Sequence, residues 1–181
     1  MKPFLIIGLG RFLKENSVET VFAVFSEFYH SISYKYQKSS ELVLIDKDYH
    51  HNLNKDLSTK YNIEGNTRLL PLSDQKQVEA MYGQGSLLLL PRKVNCSSII
   101  KEAFQYGLPV LGYAHSSHDN LLDASTGLKV FYESEAQAIR SMADNIRLLK
   151  YDPEAVKLLK KGASKKYQAE YKWKRKQQSG G

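Results

Sequence analysis

The chain has 181 residues, 42% hydrophobic and 25% charged, the proportions of an ordinary globular domain large enough to bury roughly 70% of its unfolded surface. No apolar run approaches the ~18 residues needed to cross a bilayer, and the single cysteine, Cys96, excludes an internal disulfide. The net charge of +7 is concentrated: residues 157–176 hold nine Lys/Arg against Glu170 alone and carry +8, the remainder sums to about −1, and any argument for an anionic partner rests on the tail.

The first residues carry neither a basic n-region nor a small-residue cleavage site, so a reducing cytoplasm is the expected compartment. Short apolar runs then alternate with amphipathic stretches, the pattern of strands and crossover helices in a parallel sheet. Strands are predicted over residues 4–9, 41–45, 68–72, 86–90, 109–113 and 128–131. Between the first two, Val18, Val21, Phe22, Phe25, Phe28, Tyr29 and Ile32 recur at helical spacing, with Asn16 or Ser17 as N-cap. Helices follow over 74–82, capped by Ser73 or Asp74, and over 97–106, ended by Gly107-Leu108-Pro109. Another follows Ser134, with Ala136, Ile139, Met142, Ala143, Ile146 and Leu149 on one face. The last takes Asp152 as cap and Pro153 as its first residue, and Gly162 weakens it without ending it.

The turn Gly8-Leu9-Gly10-Arg11 after the first strand has two readings. Two glycines permit a tight turn and nothing more. Alternatively, Arg11 and Lys14 sit in a loop leaving the carboxyl end of a parallel strand, along the crevice where open sheets bind ligands, and both suit phosphate. A dinucleotide fingerprint is disfavoured: Leu13 occupies the third glycine position, and Asp46 lies 36 residues beyond Gly10 where about 20 is usual.

The second candidate is the segment from Leu87 to Val110. A buried strand ends at Pro91, a polar loop follows, and the amides of Cys96, Ser97 and Ser98 begin a helix, where unbonded N–H groups attract a diphosphate. Glu102, one and a half turns on, is placed either to accept hydrogen bonds from sugar hydroxyls or to face solvent beside Lys101. His115 and His118, three apart, lack the further ligands of a zinc site and suit a sugar or phosphate hydrogen bond better. Cys96 reads as a small packed residue.

The order of these segments resembles the nucleotide-binding C-terminal half of GT-B-fold retaining glycosyltransferases of group 1, or family 4. The resemblance is carried by IIGLGRFLKENSVETVFAVF at 6–25, LVLID at 42–46, LLPLSDQKQVEAMYGQGSLLLLP at 69–91, KEAFQYGLPVLGY at 101–113 and DNLLDASTGLKV at 119–130. It implies an α/β, Rossmann-like, doubly wound parallel sheet of about six strands in order 3-2-1-4-5-6, one half of a GT-B fold. The implied division is a donor-binding domain over 1–156 and a basic helix and tail over 157–181.

By the same resemblance, the donor diphosphate falls to Gly10, Arg11, Lys14, Cys96, Ser97 and Ser98, and the ribose to Glu102. Leu70, Pro71, Leu72 and Ser73 border the base, and Asn16, Val94 and His115 face the sugar. The implied function is transfer of a hexose from a nucleotide sugar to a glycan or lipid-linked acceptor, with no metal or other cofactor. A second, acceptor-binding N-terminal domain is the implied partner, without which no transfer is expected. The basic tail, in which Tyr167, Tyr171 and Trp173 alternate with lysines, implies either peripheral contact with the anionic inner face of a membrane or packing on the body; no specific nucleic acid is expected.

Two positions and one turn depart from the family pattern. Asn16 stands where a second phosphate-binding lysine belongs, Val94 replaces the first glutamate of Glu-x7-Glu, and Asp46-Lys47-Asp48 replaces the glycine-rich turn after strand two. Lys14 and Lys93 are the cations available to substitute. One such electrostatic contact is worth ~3 kcal/mol of transition-state stabilisation, so the departures favour a weak enzyme or a non-catalytic relative serving as a binding or scaffolding protein.

Overall fold

The first strand, β1 (Phe4–Leu9), is buried along its whole length, and its side chains alternate between two cores. Phe4 and Ile6 point to one face of the sheet, Ile7 and Leu9 to the other. β2 (Ser40–Asp46) and β4 (Leu87–Leu90) divide in the same way, Leu42, Leu44, Leu87 and Leu89 joining the first core and Val43, Ile45, Leu88 and Leu90 the second. A strand covered on both faces has no reason to carry polar residues, which is why these runs read as continuously apolar. The computed structural model describes residues 3–10, 18–47, 50–93, 95–114 and 121–172, with side chains up to 170.

With β3 (Thr67–Pro71), β5 (Val110–Tyr113) and β6 (Gly127–Val130), the strands form one six-stranded parallel sheet in the order β3-β2-β1-β4-β5-β6. The α/β, doubly wound architecture expected from the sequence is therefore the observed one. α1 (Val18–Ser31) and α6 (Glu135–Tyr151) cover the first face, with Phe22, Phe25, Phe28, Met142 and Ile146 fully buried. α4 (Gln75–Gln84) and α5 (Ser97–Gln105) cover the second, through Val78, Ile100, Ala103 and Phe104. Asp74 and Ser134 cap α4 and α6 by accepting from the amides of Gln77 and Gln137, 3.1 and 3.2 Å.

The helix predicted to stop at Gly107 does so because Gly107 has φ +64°, a left-handed conformation that a side chain disfavours. α7 (Pro153–Tyr167) turns sharply from α6 at Asp152, whose carboxylate accepts from the Ala155 amide at 3.0 Å. It packs on α5, where Ala163 joins the second core, while Leu159 joins the first, and Lys166 pairs with Asp123 at 2.8 Å. The body thus receives Tyr167, which packs on the second core, while Tyr171 and Trp173 lie outside the residues whose side chains are described.

Two helices have no counterpart in the sequence reading: the short α2 (Tyr34–Gln37) and α3 (His51–Lys60). α3 was invisible to hydrophobic periodicity because its buried residues are polar, Asn54 and Ser58, while Leu53 is 53% exposed.

Candidate functional site

β1 lies between β2 and β4 and runs parallel to both, pairing Gly8 with Leu44 on one side and Leu89 on the other. The segments following these three strands must therefore leave from one edge. Gly10 extends the ladder by one bond, its amide donating to Ile45 at 2.8 Å. After β4, Pro91 turns the chain out of the sheet and the Arg92 side chain folds back, its Nη2 donating to the Gly10 carbonyl at 2.9 Å. Arg92 is only 1% exposed, the largest fully buried side chain among the described residues.

Asp46, at the end of β2, closes the other side of Gly10. A Cβ on Gly10 would stand 1.9 Å from the Asp46 carboxyl carbon, so no other residue fits without displacing the acid. The carboxylate, 4% exposed, accepts from His50 Nδ1 at 2.9 Å, Asn54 Nδ2 at 2.8 Å and the Lys47 amide at 2.8 Å. His50 and Asn54 follow Asp46 at intervals of four, so the residue capping α3 and one in its first turn both meet the acid. Gly10 is thus held between a buried cation and a buried anion.

Beside this cluster, Asp46, Lys47, His51, Asn54, Leu70 and Pro71 line a pocket of about 380 Å³. Of the residues assigned to border a base, Leu70 and Pro71 therefore face the same cavity as Asp46. Leu72 is tied to it through its amide, which donates to the Asp46 carbonyl at 2.8 Å, and Ser73 is exposed at the approach to α4.

The start of α5 departs from the simple picture of unbonded amides. Asn95 Oδ1 accepts from the Ser97 amide at 2.9 Å and from the Ser97 hydroxyl, so the side chain of Asn95 already serves that amide. Cys96 is buried and Ser98 exposed. Glu102 is exposed on α5, close enough to Glu79 and Tyr82 of α4 to interact with both. Burial, and then the charge of Glu79, hold its carboxyl above the usual range, while burial followed by the charge of Glu102 raises the Tyr82 hydroxyl.

Further along the edge, Lys93 Nζ stands 3.4 Å from the centre of the Tyr132 ring, and that ring meets Tyr113 edge-on at 5.3 Å. Burial pushes the Tyr113 hydroxyl up to about 12, with Tyr132 and Glu135 adding to the shift. Arg11, Lys14, Asn16, Val94, His115 and His118 lie outside the described residues. Among the described residues no cluster of His, Cys, Asp and Glu has the make-up of a metal site, and no helix is long and apolar enough to cross a membrane.

Sequence reasoning missed Arg92, His50 and Asn54. An arginine directly after an apolar strand and a proline carries no periodic signal of burial. The spacing of Asp46, His50 and Asn54 did hold one, four by four along a helix face.

No protein-family model matches this sequence, and no curated protein matches it. Solved structures match its fold over nearly its whole length. Sucrose-phosphate synthase from Thermosynechococcus elongatus superposes with a TM-score of 0.75 at 19% identity, covering 96% of this chain and 42% of the enzyme. The pneumococcal O-GlcNAc transferase GtfA, solved with UDP and GlcNAc, gives 0.76 at 17%, covering 98% and 36%. The fold is that of one half of a GT-B glycosyltransferase. The C-terminal domain of a group 1 glycosyl transferase family protein from Francisella tularensis, LpcC, matches at 0.68 and 14%, covering 94% of this chain and 88% of that one. The chain thus spans about two fifths of the length of the solved synthase and transferase, and compares in length with the isolated GT-B domain. At these identities the likeness is one of fold.

Proposed function

We propose that this chain is the nucleotide-sugar-binding half of a retaining glycosyltransferase of the group 1, or family 4, kind. The observation that carries the reading is the convergence at one sheet edge of the turn after β1 and the loop leading to α5, clasped by Arg92 and Gly10. Such an edge is where open α/β sheets take their ligands. The fold shared with a transferase solved with UDP and GlcNAc supports a nucleotide sugar as the ligand.

In this reading Arg11 meets the donor diphosphate and Glu102 takes the ribose hydroxyls. The helix start at 96–98 contributes fewer amides than expected, because Asn95 serves Ser97. The acceptor, a glycan or lipid-linked molecule, belongs to a second domain, and transfer requires the cleft between the two. The exposed Lys157, Leu158, Lys161 and Lys165 suit peripheral attachment to the anionic cytoplasmic face of a membrane; equal binding to neutral and anionic vesicles would remove that part.

One observation favours the alternative, a non-catalytic scaffold. The Asp46 carboxylate occupies the space against Gly10 where the family has a glycine-rich turn, and an acid there opposes a diphosphate. Calorimetric titration with UDP-, GDP- and ADP-sugars separates the two readings. Saturable binding abolished in both Glu102→Ala and Arg11→Ala supports the donor site, and silence across the panel supports the scaffold.

A further inference from the structure

A second cavity, of about 300 Å³, lies at the opposite, amino edge of the sheet. It is bounded by the starts of β1 and β4 and by the corner between α6 and α7, and its walls include Phe4, Tyr36, Leu149 and Val156. Two buried polar side chains line it: Lys150, 6% exposed, and Ser86, 8% exposed.

Lys150 has no carboxylate within 4 Å among the described residues. Its Nζ donates to the Ser39 carbonyl at 3.0 Å and to the Ser39 hydroxyl oxygen at 2.7 Å, and stands 5.3 and 5.9 Å from the centres of the Phe4 and Tyr36 rings. An ammonium has three donors, so two bonds leave one N–H unspent. Neither bond accounts for the lysine structurally. The Ser39 carbonyl already accepts from the Phe4 amide at 2.8 Å, and the Ser39 hydroxyl donates to the Tyr36 carbonyl at 3.2 Å. A buried ammonium held by neutral partners alone, on the wall of a cavity, leaves its charge open to a counterion.

Ser86 adds a second donor. Its oxygen accepts from the Leu5 amide at 3.2 Å, while its own proton has no acceptor among the described residues. The other cations of the cavity are committed: Lys157 pairs with Glu154, and Lys160 is directed at the carbonyls of Gly83 and Gly85.

We infer that this cleft binds a small organic carboxylate, its apolar body between the Phe4 and Tyr36 rings and its oxygens on Lys150 and Ser86. Two donors on the wall of one cavity match the two oxygens of a carboxylate. A phosphate would need more donors than the cleft supplies, and a neutral ligand would leave the ammonium uncompensated. The site is separate from the carboxyl edge and does not depend on the glycosyltransferase reading.

The test is a titration of the whole ¹⁵N-labelled chain with benzoate, and with benzamide as its neutral isostere, followed by amide NMR. Benzoate is expected to saturate at millimolar concentration or below, as suits a ligand of about nine heavy atoms, shifting signals of residues 4–5, 86–87 and 149–151. Benzamide should bind about tenfold more weakly or worse. Lys150→Met should weaken benzoate by about tenfold and leave benzamide unchanged, with Lys150→Gln as a second variant should the first fold poorly. Equal binding of the two probes, benzoate affinity unaltered in a folded Lys150 variant, absence of saturation, or shifts confined to the carboxyl edge would each overturn the assignment.

Discussion

Arg92 Nη2 donates to the carbonyl of Gly10 at 2.9 Å, joining two segments 82 residues apart at the carboxyl edge of the sheet. The bond ties the end of β1 at Gly10 to the residue two beyond β4, on the same side of the sheet. Arg92→Met keeps much of the bulk and removes the donor, leaving a buried carbonyl short of a partner, at a cost of about 1–3 kcal/mol. Arg92→Lys should recover only part, since a lysine lacks the planar fork. Urea unfolding midpoints measure both, and an unchanged midpoint in Arg92→Met would show that the clasp does not hold the edge together.

The proposed role of Glu102 carries a pH signature. Burial and the neighbouring Glu79 raise its pKa, and the carboxyl accepts from ribose hydroxyls best when ionised. Donor affinity should therefore fall as pH drops through that raised value, earlier than for a glutamate at its ordinary 4.5. Glu79→Gln should move the inflection to lower pH, and Glu102→Gln should flatten the profile. The loss would not reflect unfolding driven by this group, because a carboxyl whose folded pKa is raised favours the folded state as pH falls. A wild-type profile matching that of Glu102→Gln would exclude the ionised carboxylate from binding.

The parallel sheet was legible because each inner strand is an apolar run delivering alternate residues to two cores, a pattern that survives in sequence as runs such as Leu87–Leu90, whereas the strand order was implied by the family resemblance. The amphipathic helices were legible through their buried stripes. What escaped was structure stabilised by polar burial: α3 turns Asn54 and Ser58 inward, and a polar buried face has no hydrophobic period. At the site, Gly10 was legible as a turn residue, but its reason was not. Arg92 and Asp46 reach it from distant parts of the chain, and only the three-dimensional placement of β2 and β4 on either side of β1 makes their neighbourhood visible.

Gly162 lies in the middle of α7, where a glycine ordinarily weakens a helix by ~1 kcal/mol relative to alanine. Propensity alone predicts that Gly162→Ala stabilises. The structure reverses the sign: a Cβ there would stand 1.8 Å from the Ser125 carbonyl oxygen and 2.7 Å from its carbon, a backbone contact that cannot rotate away. Overpacking of this kind costs roughly 1–3 kcal/mol, so the melting temperature should fall by about 2–12 °C. A rise in calorimetric melting temperature would show that the 121–126 segment yields easily and that α7 is not seated against it.

Lys150 gives the stability curve a feature of known sign. Burial lowers its ammonium from 10.5 to about 8, so between those values the unfolded chain binds a proton that the folded chain does not. Stability from this group therefore rises as pH climbs from about 8 to 10.5, and below 8 the folded protein carries the full cost of a buried charge, at most ~3 kcal/mol. Lys150→Met removes that cost and leaves the Ser39 carbonyl bonded to the Phe4 amide. The variant should be more stable than wild type at pH 7, by an amount that shrinks as pH is raised through 8 and beyond. Comparing the two proteins cancels the tyrosines that titrate in the same range, notably Tyr113, whose raised hydroxyl acts equally in both. Urea midpoints at pH 7 and 9.5 decide it: a gap that does not narrow would mean the lysine is not perturbed, and a variant weaker at both values would mean its bonds to Ser39 outweigh its burial.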